Sequence, residues 1–367
     1  MIEIQTLNKE QLAAFVQSEA FSKLPNLPIS RHRAASQEKN PRASDDDILL
    51  LLACLEDEIV GYLGMLPDQY YVDAAHFEKC CWLSCLWVSE QHRGKSIAKI
   101  LLTQGVAAYG GRALLTEFAP RSKVVYERLG FFTDLRTQQG IRLYYRLDLH
   151  HLLAPKRAIF RKIKPLLQAI DALGNVMVDA FRKLQPTSSK LATYSYSEEI
   201  SDDIQHFIAD KQGAELFKRG QNDLNWAIKN PWVLASPPDD MSRRYYFSSV
   251  DRTFDFVCIK VYDAELRLRA FLILAKRHRN LKIPCCYLTE GAAALAAEVI
   301  DQHIHHWRIN TFSTYHPELV QHYSTNRTFA LYKKPLKRVY IAANQLADSL
   351  VGRQYDLQDG DGDCFFT

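Results

Sequence analysis

The sequence contains no run of about 20 uncharged apolar residues, the length that a helix needs to cross a bilayer, so no membrane span is predicted. It has eight cysteines, but none forms a Cys-x-x-Cys pair, and most lie in apolar, strand-like runs. Buried, reduced thiols in a cytoplasmic protein explain this pattern best. We therefore expect no metal site and a cytoplasmic location.

The sequence also lacks a strong excess of charge, since its formal net charge is only +4 over 367 residues. A dedicated nucleic-acid binder carries a marked basic patch, so we expect no nucleic-acid partner. The first residues, which include Glu3 and Asn8, do not resemble a signal peptide. The chain is too long for one ordinary domain and predicts at least two.

The most informative segment runs from residue 84 to residue 100. An apolar, strand-like run ends in a short polar loop that contains Gly94, and a helical apolar pattern begins at Ile97. A strand that feeds a helix in this way directs several backbone N–H groups at one point. The helix dipole and the side chains of Arg93 and Lys95 add positive charge there. The segment therefore predicts a loop that binds a pyrophosphate.

This loop, Gln91-His92-Arg93-Gly94-Lys95-Ser96, resembles the Gln/Arg-x-x-Gly-x-Gly/Ala signature for acyl-CoA in the GNAT superfamily of N-acetyltransferases. Ser96 stands where the family usually has Gly or Ala, and its side chain is small enough to let a phosphate approach. The resemblance implies acetyl-CoA as co-substrate. It places the cofactor contacts on the strand end and the loop, at Leu86, Trp87, Val88, Gln91, His92, Arg93, Gly94, Lys95, Ser96, Ile97 and Ala98.

A second segment, Tyr126-Glu127-Arg128-Leu129-Gly130-Phe131, resembles the family's Tyr-Glu-x-x-Gly-Phe sequence. Family members often use this tyrosine to protonate the leaving CoA thiolate, which implies that Tyr126 is the general acid; a core tyrosine on a packed helix is the alternative. Ala119 stands where the family tends to carry Asn. Glu117, at the end of the preceding strand, is the candidate general base, and a water-relayed proton path is the alternative.

The elements before the loop follow the family's order, with strand Met1–Leu7, helix Lys9–Lys23 and strands Ile48–Cys54, Ile59–Met65, Tyr70–Ala74 and Cys80–Val88. We therefore expect an α/β fold with a mixed sheet, a GNAT fold, in a catalytic domain of residues 1–148. Residues 194–367 repeat this coarse order without the Gln-x-x-Gly-x-Gly loop. They predict a second, degenerate GNAT-like domain with an acidic C-terminal tail, and hence a tandem architecture.

The acceptor must be chosen by variable segments. Arg31 and Arg33, in a predicted loop at Leu24–Asp47, are the candidate substrate-binding residues, because arginine suits a phosphate or carboxylate such as that of a nucleotide-linked amino sugar. Solvated loop charges are the alternative. The tail Asp356–Thr367 predicts an acidic turn that leads into a short strand, or else carboxylates that hold an amine or hydroxyl group of the acceptor.

Residues 149–193 are predicted as a basic, amphipathic helical linker. The simpler interpretation is a connecting segment that packs between the two domains and keeps its lysines outward. The other is an interfacial helix, with peripheral membrane contact through residues 155–183 on an anionic surface.

Together these features predict an acyltransferase, an acetyl-CoA-dependent N-acetyltransferase that acts on a primary amine of a small molecule, with amino sugars among the candidates. Two alternatives remain open. One is a non-catalytic acyl-CoA sensor or scaffold. The other is a transferase for an aminoacyl or longer acyl group, a reaction that tandem GNAT-like folds also serve.

Overall fold

The structure, a computed structural model, describes residues 1–73, 75–116, 118, 120–184, 192–326 and 328–366. Its strands are β1 (Ile2–Leu7), β2 (Leu50–Leu55), β3 (Glu58–Tyr71), β4 (Phe77–Val88), β5 (Ala113–Thr116), β6 (Phe132–Tyr144), β7 (Thr193–Ser197), β8 (Leu234–Ala235), β9 (Val250–Asp251), β10 (Phe254–Tyr262), β11 (Leu268–Arg277), β12 (Asn280–Leu288), β13 (Thr311–Thr314) and β14 (Tyr332–Ala343).

The α-helices lie between these strands, so the predicted α/β class is confirmed. They are α1 (Lys9–Gln17), α2 (Glu19–Lys23), α3 (Arg31–Glu38), α4 (Ile97–Ala108), α5 (Pro120–Leu129), α6 (Leu149–Leu153), α7 (Ala158–Lys162), α8 (Lys164–Leu184), α9 (Asp202–Ala209), α10 (Gln221–Lys229), α11 (Asp240–Arg244), α12 (Ala293–His306), α13 (Pro317–Thr325) and α14 (Asn344–Ser349). Two short 3₁₀ helices span Glu90–His92 and Gly362–Phe366.

Four local predictions were wrong. The single helix predicted at Lys9–Lys23 is two helices, because Ser18 is extended and its hydroxyl accepts the N–H of Phe21 at 3.1 Å as the cap of α2. The two strands predicted around residues 59–74 are one strand, β3. The predicted loop at Leu24–Asp47 contains α3, and the tail ends in a 3₁₀ helix instead of a strand.

The chain forms two compact units that are not continuous in sequence. Unit 1 contains Met1–Gln138, Glu199–Asp255 and Arg338–Thr367, and unit 2 contains Gln139–Glu198 and Phe256–Lys337. The sequence-based limits, 1–148, 149–193 and 194–367, follow the order of the chain instead. The difference arises because two segments of the second half of the chain pack into unit 1.

The sheet of unit 1 has the strand order β1-β2-β3-β4-β5-β14-β6. The first four strands are antiparallel neighbours, β4 and β5 are parallel, and β14 is antiparallel to β5. Alternate residues of β2 are buried on opposite faces: Leu51 lies in the core beneath α4, and Leu52 in the core beneath α1 and α3. Helices therefore cover this sheet on both faces, which explains its unbroken apolar strands.

Unit 2 repeats this plan with the order β7-β10-β11-β12-β13-β6. β12 and β13 are its parallel pair, and α12, which connects them, buries Ala296, Val299 and Ile300 in the unit 2 core. In each unit, the neighbour of the fifth strand comes from the other half of the chain, so β6 and β14 are exchanged between the two halves. β5 in unit 1 lies beside β14, from the second half of the chain, and β13 in unit 2 lies beside β6, from the first half.

Candidate functional site

A wedge-shaped opening lies between β4 and β5 of unit 1. Among the described residues these parallel strands pair at two positions, and the second pair is Trp82 with Leu114. Beyond that pair, β4 continues to Val88 along β3, whereas β5 continues in register with β14. The carboxyl ends of the two strands therefore separate, and the edge of β4 is left to face a ligand.

A β-bulge lies on β4 at this open edge. The register with β3 shifts between Tyr62 and Gly64, so Cys85 and Leu86 together oppose Leu63. Cys85 has a φ of 57°, in the left-handed region. A bulge leaves the extra residue outside the hydrogen-bond ladder and is common beside active sites, so β4 can turn a backbone N–H group into the wedge. The predicted contact residues Leu86, Trp87 and Val88 follow directly.

The predicted phosphate loop connects the end of β4 to α4. Gly94 has a φ of 87°, and Ser96, the N-cap of α4, has a φ of 61° and no side-chain capping bond. The first N–H groups of α4, at Ile97 and Ala98, have no acceptor within the helix. They lie at its positive dipole end, next to the exposed side chain of Lys95. This donor set suits a phosphate anion.

The other predicted loop residues, Gln91, His92 and Arg93, lie in and after the first 3₁₀ helix. Gln91 and Arg93 are exposed, and Arg93 forms an ion pair with Glu90 at 3.1 Å. Because both members of that pair are well exposed to water, it holds Arg93 only weakly and leaves it able to pair with a ligand phosphate.

Two glycines hold α4 against the sheet. A Cβ on Gly61 of β3 would lie 2.8 Å from Ile97 Cγ2, and a Cβ on Gly105 of α4 would lie 2.9 Å from Leu63 Cδ2. Larger residues at these positions would push the helix away. The close approach fixes the N-terminus of α4 beside the wedge.

Tyr126 of α5 is packed between two aromatic rings, Phe118 and Phe132, at centroid distances of 5.6 and 5.8 Å. It shares a core with Leu86 and Val88 of β4. Burial and the negative charge of Asp363 raise the pKa of Tyr126 to about 12. A phenol with this pKa stays protonated at neutral pH and can donate its proton.

Arg33 is buried on the other face of the sheet, at 3% exposure, and reaches the bulge from α3. Its guanidinium donates hydrogen bonds to Ser84 Oγ at 2.6 Å, to Cys85 Sγ at 2.5 Å and to the hydroxyl of Tyr245 at 3.1 Å. It also lies over the ring of Trp232 at 3.9 Å. Burial alone would lower the pKa of Arg33, but Cys85, Tyr245 and Asp363 raise it above its usual value. The group therefore stays charged beside the wedge.

The structure places the two predicted acceptor residues, Arg31 and Arg33, differently from the sequence-based expectation. Arg31 is exposed and ties α3 to its neighbours through bonds to the Val16 carbonyl at 3.2 Å and Ser22 Oγ at 3.0 Å. Arg33, by contrast, lies beneath the site and not on a loop at its mouth. Glu117, the candidate base, lies outside the described residues.

The C-terminal 3₁₀ helix brings the acidic tail to the same region of unit 1. Gly362 has a φ of 72°, and a Cβ there would lie 2.5 Å from the ring of Trp82, the last residue of β4 that pairs with β5. Phe366 stacks on Trp232 at 4.4 Å, and Trp232 also lies beneath Arg33. Asp363, between these two anchors, acts electrostatically on both Arg33 and Tyr126.

A buried charge network anchors this tail. Asp68 of β3 accepts hydrogen bonds from Trp82 Nε1 at 2.8 Å and Arg219 at 3.1 Å, and it pairs with Arg42. Arg219 also reaches Asp361 at 3.4 Å. Burial alone would raise the pKa of Asp68, but Arg219 and Arg42 lower it, so Asp68 holds the negative charge. Burial raises the pKa of Asp361 to about 7.

Sequence reasoning missed the contributions of Tyr245, Trp232 and Arg219. They lie more than 100 residues from the wedge strands, and nothing in their local sequence marks them as functional. The acidic run at Asp359–Asp363 was a visible signal, but only the packing of the tail shows which strand it meets.

Comparison with known proteins agrees with this geometry. Residues 13–131 match the acetyltransferase (GNAT) family. Comparison with curated proteins gives no match. A solved structure from Enterococcus faecalis, described as a probable N-acyltransferase, is similar over 96% of this chain and 75% of its own, with 11% identity and a TM-score of 0.54.

Two further solved structures are similar at lower TM-scores. A GCN5-related N-acetyltransferase from Kribbella flavida covers 95% of this chain and 72% of its own, at 10% identity and a TM-score of 0.49. A tandem GNAT protein from the clavulanic acid biosynthesis pathway covers 94% and 99%, at 14% identity and a TM-score of 0.47.

Residues 13–131 therefore form a domain of the acetyltransferase (GNAT) family, whose members are acyl-CoA-dependent acyltransferases. At 11% identity the E. faecalis likeness is one of fold, and it extends over nearly the whole chain. Because unit 2 repeats the strand order of unit 1, the predicted tandem GNAT fold is confirmed.

Proposed function

We propose that this protein is an acetyl-CoA-dependent N-acetyltransferase that acetylates the primary amine of a small, ring-bearing molecule such as an amino sugar. The observation that carries the proposal is the convergence, within unit 1, of the wedge, the bulge at Cys85, the loop before α4 and Tyr126, whose side chain shares a core with Leu86 and Val88. Each supplies one requirement of acyl transfer from a thioester.

The loop and the open strand edge would hold the donor. Backbone N–H groups at the start of α4, with Arg93 and Lys95, suit the pyrophosphate of CoA. The freed edge of β4 at Leu86–Val88 can bond the amide groups of the pantetheine arm as an added strand would. This arrangement directs the thioester into the wedge, towards the bulge.

The chemistry joins the amine nitrogen to the carbonyl carbon and breaks the bond from that carbon to sulfur. Tyr126 would give its proton to the departing sulfur, and the proton lost by the amine would pass to a base. Glu117 and a water-relayed path remain the proposed alternatives for that base. Asp363, whose charge acts on Tyr126, would also attract a cationic amine towards this part of unit 1.

Arg33 would act as a positioning and electrostatic residue. Its hydrogen bonds to Ser84 and Cys85 hold the bulge, and its fixed charge lies beside the place where the carbonyl oxygen becomes negative. A preorganised cation in a site that excludes water stabilises such charge much more strongly than it would in water.

An aromatic wall supports a ring-bearing acceptor. On the Arg33 side of β4, Tyr62 stacks on Trp87 with centroids 5.2 Å apart and an interplanar angle of 20°. Phe247 meets Tyr62 edge-on at 6.5 Å, and the neighbouring Tyr246 is 71% exposed. Tyr62 itself is buried, so the partly exposed ring of Trp87 and the exposed ring of Tyr246 are the surfaces that would meet an acceptor. Flat rings suit a sugar ring better than a flexible aliphatic amine.

The test is the melting temperature with and without acetyl-CoA, for the wild type, Gly94→Asp and Gly352→Asp. Both glycines have positive φ and open space around the Cβ position, so the two variants carry the same backbone cost. Ligand at 100 times its dissociation constant should add about 2.7 kcal/mol of stability. We expect this shift in the wild type and in Gly352→Asp, and its loss in Gly94→Asp.

A second measurement separates binding from catalysis. Release of CoA thiol in the presence of a panel of amines, including amino sugars, would support the proposed transfer. A protein that is stabilised by acetyl-CoA but releases no thiol with any amine would favour the acyl-CoA sensor instead. The absence of any shift would remove the acetyl-CoA proposal altogether.

A further inference from the structure

Helix α8 of unit 2 exposes a continuous apolar stripe. Leu166, Ile170, Leu173, Met177 and Phe181 follow one another at helical spacing, with exposures of 57, 42, 72, 74 and 56%. Positions three and four apart lie on one face of a helix, so these side chains form a single surface. At 1.5 Å per residue the stripe is about 22 Å long.

The face of α8 that packs on the protein carries two buried polar side chains, Asp171 and Asn175, beside the buried Leu167. Asp171 accepts the N–H groups of Leu149 and His150 at 2.8 and 3.0 Å. The Asn175 side chain bonds both the N–H and the carbonyl of Leu147, at 2.8 and 2.9 Å. A surface helix of a globular protein normally has the opposite orientation, with its apolar face inward. The inversion indicates that the outer face meets an apolar medium.

A basic segment precedes the stripe. Between Leu149 and Ile170 the sequence has no Asp or Glu, and it carries five exposed cations, at Lys156, Arg157, Arg161, Lys162 and Lys164. In the same segment Ile159 of α7 is 56% exposed. Apolar side chains flanked by cations match a bilayer surface with anionic headgroups. A twofold dimer through this face would instead add five more cations without an acidic surface to pair them.

We propose that α7 and α8 bind the surface of an anionic lipid bilayer. In this arrangement α8 lies in the plane of the interface, with Leu173 and Met177 among the acyl chains and the cations of residues 156–164 at the headgroups. Among the described residues, no helix is long and apolar enough to cross a membrane, so the contact is peripheral.

The test is flotation of the full chain with phosphatidylcholine vesicles and with vesicles that also contain phosphatidylglycerol. Variants are Leu173→Glu/Met177→Glu, Arg161→Gln/Lys162→Gln, and the control Val351→Glu, at a side chain that is 77% exposed in unit 1. We expect the wild type and Val351→Glu to float with anionic vesicles. The apolar double variant should lose binding, and the loss of two cations should weaken it about 30-fold.

Melting temperature and far-ultraviolet circular dichroism show whether each variant is folded. The proposal is overturned if the folded wild type floats with neither vesicle. It is also overturned if the apolar double variant binds as well as the wild type. Sedimentation tests whether this face instead binds a second copy of the chain. That assignment would follow if the wild type is a dimer that does not bind vesicles and Leu173→Glu/Met177→Glu is a monomer.

Discussion

Gly362 of the C-terminal 3₁₀ helix lies directly against the indole of Trp82 on β4. A Cβ at residue 362 would come within 2.5 Å of Cδ2 and 2.6 Å of Cε3 of this ring. Trp82 cannot yield, since it is buried and its Nε1 is bonded to Asp68 at 2.8 Å. The contact joins the acidic tail to the strand that opens the wedge.

Substitution of this glycine should therefore be costly. We expect Gly362→Ala to lower the free energy of unfolding by about 3 kcal/mol, through overpacking and a positive φ. Gly352→Ala is the matched control, because Gly352 has a φ of 77° and no neighbour within 4 Å of its Cβ position. It should cost only about 1 kcal/mol. Urea denaturation measures both, and equal losses would exclude the ring contact as the cause.

Arg33→Met tests the cation behind the bulge. The variant leaves the Ser84 and Tyr245 hydroxyls without their donor, so we expect a loss of about 3 kcal/mol of stability. If Arg33 also positions the reacting strand, kcat should fall about tenfold or more while KM for acetyl-CoA stays near its wild-type value. Arg31→Met, at an exposed arginine two residues away, should change neither constant. A kcat unchanged in folded Arg33→Met would limit Arg33 to a structural role.

Tyr126→Phe removes the proposed acid and little else. We expect kcat to fall about 100-fold with little change in melting temperature. Tyr109→Phe is the control in the same core: its hydroxyl donates to the Ile48 carbonyl at 3.1 Å, so this variant should lose about 1 kcal/mol of stability and keep its kcat. Because the pKa of Tyr126 is about 12, deprotonation of this group should not reduce the wild-type rate up to pH 10. A Tyr126→Phe rate within twofold of the wild type would contradict the assignment.

The pH dependence of stability should reflect Glu215. Burial raises its pKa from 4.5 to about 8, with a contribution from the charge of Asp361. The native protein therefore keeps a proton that the unfolded chain releases, so the free energy of unfolding falls as pH rises between these two values.

Glu215→Gln should remove this part of the pH dependence. We expect the free energy of unfolding of the variant to rise relative to that of the wild type by about 1 kcal/mol per pH unit between pH 5 and pH 8. Part of the slope should remain, because the pKa of Asp361 is also raised, to about 7. Denaturation at several pH values measures the difference, with Glu10→Gln, at an exposed glutamate, as the control. Parallel curves for wild type and Glu215→Gln would refute a buried proton on Glu215.

Parts of the site whose residues lie close together in the sequence could be predicted, whereas parts assembled from distant residues could not. The family and the loop before α4 could be recognised because strand, loop and helix lie within 17 consecutive residues, 84–100, and Gly94 marks the turn. The exchange of β6 and β14 could not be predicted, because an apolar alternation shows that a segment is a strand but not which strand it pairs with. For the same reason the pattern around Arg33 looked like a polar loop, although Cys85 and Tyr245 enclose its side chain.

The exchanged strands set the order in which the chain can fold during synthesis. β5 is made early, but its neighbour β14 follows more than 200 residues later, and the tail against Trp82 comes later still. The unit that carries the proposed site therefore cannot complete its sheet on the ribosome until β14 has emerged, although its first strands are the first to appear. A nascent chain without this neighbour leaves one edge of β5 unpaired, which makes premature release a route to aggregation.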